Sequence, residues 1–110
     1  MTNYDYEVPI PGKYISEELD ARGWSQRDLA YILGIEEPAL NKIIKGKTGI
    51  SVDMSKALGK AFDIDTDFFS NLQKAYDFAH SREPDQSIQR KAALQGVRGW
   101  LHVLWRFANL

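Results

Sequence analysis

Glycine divides this chain into short helical lengths. Between Gly23, Gly34 and Gly46, apolar residues recur at i, i+3 and i+4: Leu29, Ile32 and Leu33 in one interval, Leu40, Ile43 and Ile44 in the next. That spacing predicts amphipathic helices, and glycine after the last apolar residue is a common stop because it accepts the left-handed backbone that ends a helix. Helices of roughly 8–10 residues do not persist alone, so these must pack against each other and against neighbours. The neighbours are legible too. Ile15 and Leu19 mark a helix starting at Gly12, and Ser51 is an N-cap before Met54, Ala57, Leu58, Ala61 and Phe62. Asp65 is the expected cap of a fifth helix bearing Phe68, Leu72, Ala75, Tyr76 and Ala79. Beyond the first residues no alternation of period two suggests a strand. The fold class expected is all-α.

Punctuation also sets the organisation. Residues 1–11, acidic and tyrosine-containing with Pro9 and Pro11, read as an extended arm. Residues 12–83 read as one helical domain, and Pro84 in the linker 81–87 separates a helical extension over 84–110. At 110 residues the prior is a single small domain with a modest core.

Composition removes several function classes. There is no cysteine, which excludes disulfides, thiolate nucleophiles and Cys-based zinc sites. His80 and His102 have no second ligand at helical spacing, so neither a metal nor another cofactor is expected. The apolar runs are too short for a membrane span, and residues 1–8 lack the pattern of a secretory signal. A cytoplasmic protein is expected. Taken as a whole, the net charge of −1 speaks against nucleic-acid binding, but it is unevenly distributed. It is −4 over 1–21, +3 over 22–60, −3 over 61–83 and +3 over 84–110. Local charge decides what a polyanion feels.

Within the positive stretch 22–60, Ser25 to Gly46 has the layout of a helix-turn-helix, two short helices joined by a tight turn opened by Gly34. In that arrangement the first helix braces the second, which lies in the DNA major groove. Ala30 is small where the helices approach, and Ile35 covers the turn. With Leu40, Ile43 and Ile44 inward, the helix from about Glu36 to Lys45 presents Glu37, Asn41, Lys42 and Lys45 outward, with Pro38 in its first turn. Asn can read adenine, Lys can reach guanine or phosphate, and a carboxylate can meet cytosine N4. Gln26, Asn41 and Lys42 are the residues expected near base edges or adjacent phosphates. Ser25, Arg27, Lys45, Lys47 and Thr48 complete the expected DNA contact, with phosphate as the target of charge and of free backbone N–H groups.

The quoted residues also carry a family resemblance. Arg22-Gly-Trp-Ser-Gln-Arg-Asp-Leu-Ala30, Ile32-Leu-Gly34 and Ile43-Ile-Lys-Gly-Lys47 resemble the lambda-repressor-like (XRE) helix-turn-helix domain. Pro11-Gly12, the stretch from Ile50 to Leu58, and Phe68-Phe-Ser-Asn-Leu-Gln-Lys-Ala-Tyr-Asp77 resemble its HigA/VapI-type antitoxin branch. The resemblance spans roughly residues 9–80. It implies a lambda-repressor-like five-helix fold and a homodimer that binds an inverted-repeat operator in double-stranded DNA. It further implies repression of the chain's own promoter and, as a further partner, a ribonuclease-type toxin. Phe69 stands where the branch usually has Trp, and Glu36 and Glu37 stand where many relatives have Ser and Arg.

Other motifs carry less. Gly46-Lys47-Thr48 imitates the end of a phosphate-binding loop, but position 41 is Asn where that motif requires glycine. The pair Glu17/Glu18 and the set Asp63/Asp65/Asp67 read as solvated faces, since the latter lacks the glycine and distal Glu of a calcium loop. No residue constellation supports an enzyme.

The tail places Val97, Trp100, Leu101, Leu104, Trp105 and Ala108 on one stripe, with Gln95, Arg98, His102 and Arg106 opposite. Gly96 and Gly99 each cost about 1 kcal/mol of helix propensity relative to Ala, so this helix depends on packing. It is read either as a sixth helix on its own bundle or as a dimer or partner interface. Interface candidates are Phe69, Tyr76, Trp100, Leu101, Leu104 and Trp105. Two alternative functions stay open. One is a protein-interaction module with weakened DNA binding, favoured by the acidic start of the third helix. The other is the DNA-binding front part of a longer regulator, although no His-Glu-x-x-His of a following peptidase-like domain is present.

Overall fold

A computed structural model describes residues 8–109, apart from the side chains of residues 97 and 98. The arm expected over 1–11 therefore lies outside the described residues for positions 1–7, as do the side-chain placements expected for Val97 and Arg98. Seven helices and no strands occur among the described residues: α1 Pro11–Arg22, α2 Gln26–Leu33, α3 Glu37–Ile44, α4 Val52–Phe62, α5 Phe68–Ala79, α6 Ser87–Leu94 and α7 Gly96–Ala108. The all-α expectation holds.

The core is built from the stripes of α1 to α5. Ile15, Leu19, Leu29, Ala30, Leu40, Ile44, Ile50, Leu58, Phe62 and Phe69 are buried together, and Trp24, Leu33, Ile35 and Ile43 pack around them. On α2 the inward set is Leu29, Ala30 and Leu33, whereas Ile32, expected inward, is half exposed. The small Ala30 fits between helices and shifts the buried face by one residue. Phe69 is fully buried in this core, against Phe62 and edge-on to Phe68. Its expected place on an interface is thereby corrected: the apolar position where α5 meets the bundle takes the ring inside.

Two contacts fix the helix ends that matter most. The α2–α3 turn closes on Gly34 at φ 72°, with Gly34 N–H donating to the Tyr31 carbonyl and Ile35 N–H to that of Ala30. This is the paired closure that a left-handed glycine permits, and the apolar residue after it caps the hydrophobic contact. At Gly12, a Cβ atom would stand 2.0 Å from the Ile44 carbonyl oxygen, so only glycine allows α1 and α3 to cross this closely.

Polar ties are few and specific. Ser55, fully buried on α4, donates to the Thr66 carbonyl at 2.7 Å and accepts from Ser70 N–H at 2.9 Å. Arg22 pairs with Glu18, donates to the Phe62 carbonyl at 2.7 Å and lies over the Trp24 and Phe62 rings. Gln73 on α5 accepts from Ile50 N–H at 2.9 Å, which ties α5 to the segment after α3.

Two boundaries and the packing of the tail depart from the sequence reading. Helix α5 starts at Phe68 with Asp67 before it, not at a cap on Asp65. Asp65 serves instead through its carbonyl, which takes Phe68 N–H at 3.1 Å, because the buried Ser55 holds the Thr66 carbonyl and Ser70 N–H on the other side of the turn. The tail is two helices rather than one. Gln95 N–H is shared between the Lys91 and Ala92 carbonyls, a tightened last turn that ends α6 before Gly96. Nor is the tail packed as a sixth helix on the bundle: no described side chain of α6 or α7 is buried, and Trp100, Leu101, Val103, Leu104, Trp105 and Phe107 are all exposed.

Candidate nucleic-acid interface

The start of α2 is built by a reciprocal cap. Ser25 Oγ accepts from Asp28 N–H at 3.0 Å, and the Asp28 carboxylate accepts from Ser25 N–H at 2.8 Å. Serine before the helix and a short acid three residues later supply this pair, one acceptor for each orphan donor. The hydrogen bonds from Ser25, chiefly from its backbone, hold the Asp28 carboxyl below its usual range, aided by the neighbouring Arg27 charge. The N–H groups of Gln26 and Arg27 have no acceptor among the described residues. They point out of the helix start, where the dipole favours an anion.

Helix α3 begins at Glu37 with Pro38 in its first turn, a position where a missing N–H costs nothing. Leu40 and Ile44 are buried and Ile43 packs on the core, so the opposite face is free. Glu37, Pro38, Lys42 and Lys45 are exposed, and Asn41 is half-buried. Asn41 Nδ2 donates to Gln26 Oε1 at 3.1 Å, a side-chain bridge between the first turn of α2 and the middle of α3. Gln26, Glu37, Pro38 and Asn41 line a shallow notch of about 330 Å³.

After α3 the chain turns through Gly46 at φ 77° and exposes Lys45, Lys47 and Thr48. Here one expectation is corrected. The backbone N–H groups of this turn are not free. Lys45 N–H donates to Asn41, Gly46 N–H to Ile43, and both Lys47 and Thr48 N–H to the Lys42 carbonyl, at 2.8 and 3.3 Å. The turn is closed by its own hydrogen bonds, so only its ammonium groups and the Thr48 hydroxyl are available to an outside anion. No salt bridge among the described residues engages Arg27, Lys42, Lys45 or Lys47.

The structure thus brings Ser25, Gln26, Arg27, Glu37, Pro38, Asn41, Lys42, Lys45, Lys47 and Thr48 to α2, α3 and the turn that follows. The bridge between Gln26 and Asn41 was missed from sequence. Only residue types at positions 15 apart could have hinted at it, and nothing in a linear pattern sets their distance. Of the remaining interface candidates, Tyr76 is half-buried and stacked on His80, while Trp100, Leu101, Leu104 and Trp105 lie exposed on α7.

Comparison with known proteins gives the family. The helix-turn-helix family HTH_3 matches residues 15–69. Virulence-associated protein A' of Dichelobacter nodosus is 40% identical over 76 residues, which cover 68% of this chain and 66% of that protein's length, slightly under two thirds of it. Among solved structures, a Pseudomonas aeruginosa protein in complex with its 18-bp operator DNA superposes with a TM-score of 0.66 at 32% identity, covering 76% of this chain and 91% of that one. The Pseudomonas aeruginosa antitoxin HigA with its higBA promoter gives 0.60 at 30% identity, covering 84% and 90%. The chain belongs to the helix-turn-helix family, with α2 and α3 as the motif itself.

Proposed function

We propose that the chain is a sequence-specific DNA-binding regulator, an antitoxin-type repressor of its own operon that acts as a homodimer in the cytoplasm. One observation carries this reading: the free N–H groups opening α2 and the outward side chains of α3 are joined directly by the bond between Gln26 and Asn41. Around them Arg27, Lys42, Lys45 and Lys47 supply unpaired cations suited to phosphates. Two similar structures hold operator or promoter DNA, which supports the same use of this surface. The name of the second supports a toxin as a further partner. Residues 12–83 would form the DNA-binding unit and 84–110 the extension that joins copies.

The exposed face of α7 supports the homodimer. Trp100, Trp105 and Phe107 are each about two-thirds exposed, at 66, 62 and 68%. Aromatic side chains bury roughly 150–250 Å² each, so these three alone offer on the order of 400 Å², about half of the ~800 Å² per partner in a stable interface. Leu101, Val103 and Leu104 on the same helix, with Ile88 and Leu94 on α6, add to it. A second copy of the chain is the occupant we assign to this face.

Selection from random duplex DNA followed by sequencing tests the reading. The expected product is an inverted repeat with half-sites about one helical turn apart. Absence of enrichment at low salt would refute it in favour of a module that only binds protein.

A further inference from the structure

The hydrogen bonds that close the turn after α3 end at Thr48, whose N–H goes to the Lys42 carbonyl. Regular structure resumes only at Ser51, the N-cap of α4. Between them, neither Gly49 N–H nor Ile50 N–H reaches a backbone acceptor among the described residues. What holds this stretch comes from α5. Gln73 Oε1 accepts from Ile50 N–H at 2.9 Å, and the Gln73 amide packs against Gly49, where a Cβ would meet its carbon, nitrogen and oxygen at 3.4 to 3.5 Å.

Both ends of that amide are engaged, each by a group with a single role. A backbone N–H only donates, and an ionised carboxylate only accepts. Gln73 Nε2 donates to Asp77 Oδ1 at 2.9 Å, one turn further along α5. The oxygen therefore faces Ile50 and the nitrogen faces Asp77, and the reverse orientation would lose both bonds. On the other side of the turn, Ile10 packs against Gly46, whose Cβ would stand 3.2 Å from Ile10 Cδ1 and Cγ2. The segment is gripped at Gly46 by the chain entering α1 and at Ile50 by α5.

Lys47 and Thr48 lie exposed between these two grips. A hydrogen bond to phosphate needs its donor within about 3.2 Å, so the value of these side chains depends on what places their backbone. We propose, resting on the DNA-binding reading above, that Gln73 is a positioning residue for the DNA contact. With Asp77 orienting its amide, it fixes Gly49 and Ile50, and through them the placement of Lys47 and Thr48 against a phosphate strand. Helix α5 thus contributes to DNA affinity without touching DNA, and its contribution is the same for every base sequence, because phosphates carry no sequence information.

The test is titration of a fluorescent duplex of mixed sequence at low salt with the full chain and its variants, each first checked for helix content by circular dichroism. Gln73→Leu, which neither accepts nor donates, is expected to weaken binding about five- to tenfold, within the range of coupling between neighbouring residues. In a chain already carrying Lys47→Ala and Thr48→Val, the same substitution is expected to change affinity by less than about twofold, because the contact that it positions is gone. A purely structural role would weaken both backgrounds equally. Gln73→Glu alone sets two carboxylates against each other and is expected to bind poorly. Gln73→Glu combined with Asp77→Asn exchanges donor and acceptor at unchanged net charge, and is expected to bind within about twofold of the unaltered chain. This exchanged pair carries the test where Gln73→Leu does not fold. Equal losses in the two backgrounds, or no loss in the first, overturn the positioning role, as does an exchanged pair that fails to restore affinity. An unaltered chain that leaves the duplex unbound overturns the DNA-binding reading as well.

Discussion

Gly12 sits against the carbonyl of Ile44 with no room for a methyl group between them, a Cβ there falling 2.0 Å from the oxygen. The contact sets how far the last turn of α3 lies from α1, and so where Lys45 leaves the helix. Gly12→Ala is expected to force the two helices apart at a cost of about 1–3 kcal/mol, the range of core overpacking. Denaturant unfolding followed by circular dichroism measures it, and an unchanged midpoint would contradict the close crossing.

Lys45 and Lys47 can offer an anion only their side chains, because the N–H groups of their turn are already used. Replacing either with Ala is expected to weaken binding to all sequences similarly and to lower the slope of log affinity against log salt by about 1. A titration across salt concentrations reads the slope. Replacing both is expected to lower it by about 2, and no change for Lys45→Ala would remove that residue from the phosphate contact.

Asp28 gives the fold a dependence on acid. Its carboxyl is held below the ordinary value of 3.8 by the Ser25 hydrogen bonds and the Arg27 charge. The folded state therefore binds this proton less readily than the unfolded state. The stabilisation is fully present above the unfolded value near 3.8 and is lost as pH falls through the lower folded value. Melting curves of the unaltered chain and Asp28→Asn are expected to differ at pH 7 and to converge as pH falls below 3.8. A constant difference across that range would show that the charge contributes nothing.

Ser55 tests a buried hydroxyl. Ser55→Ala leaves the Thr66 carbonyl and the Ser70 N–H without their partner. An unsatisfied buried polar group costs about 1–3 kcal/mol, so the variant is expected to lose that much stability by chemical denaturation. Ser55→Ala at full stability would mean that water replaces the hydroxyl.

The tail separates association from folding. Trp100→Glu with Trp105→Glu is expected to leave the melting of the α1–α5 bundle unchanged, since neither ring belongs to the core. On the proposed homodimer, the same pair is expected to raise the dissociation constant by about 100-fold in sedimentation equilibrium, as for the loss of aromatic anchors at the centre of an interface. Retention of a dimer would move the contact between copies elsewhere.

Much of the bundle was legible because its stripes and stops are local. The apolar spacing of Leu40, Ile43 and Ile44 and the αL glycine at 34 each follow from a few consecutive residues, and the structure keeps both. What escaped was set by tertiary geometry. Phe69 was an interface candidate, yet α5 turns it inward against Phe62, a rotation that tertiary packing decides. Asp65 had the residue type of a cap, but Ser55, ten positions upstream, determines where the turn before α5 closes. The candidate site divides the same way. Its residue types and outward face came from periodicity, and the link between Gln26 and Asn41 came from the approach of two helices.

The Lys42 carbonyl accepts from both Lys47 and Thr48, and with the Asn41 and Ile43 carbonyls it holds the turn after α3 shut. A loop fixed by its own backbone loses its conformational freedom during folding rather than during docking. Docking of such a turn onto a phosphate strand would require little rearrangement of its backbone. Such a surface is governed in its kinetics by how fast charge brings it to the strand and by how fast it lets go.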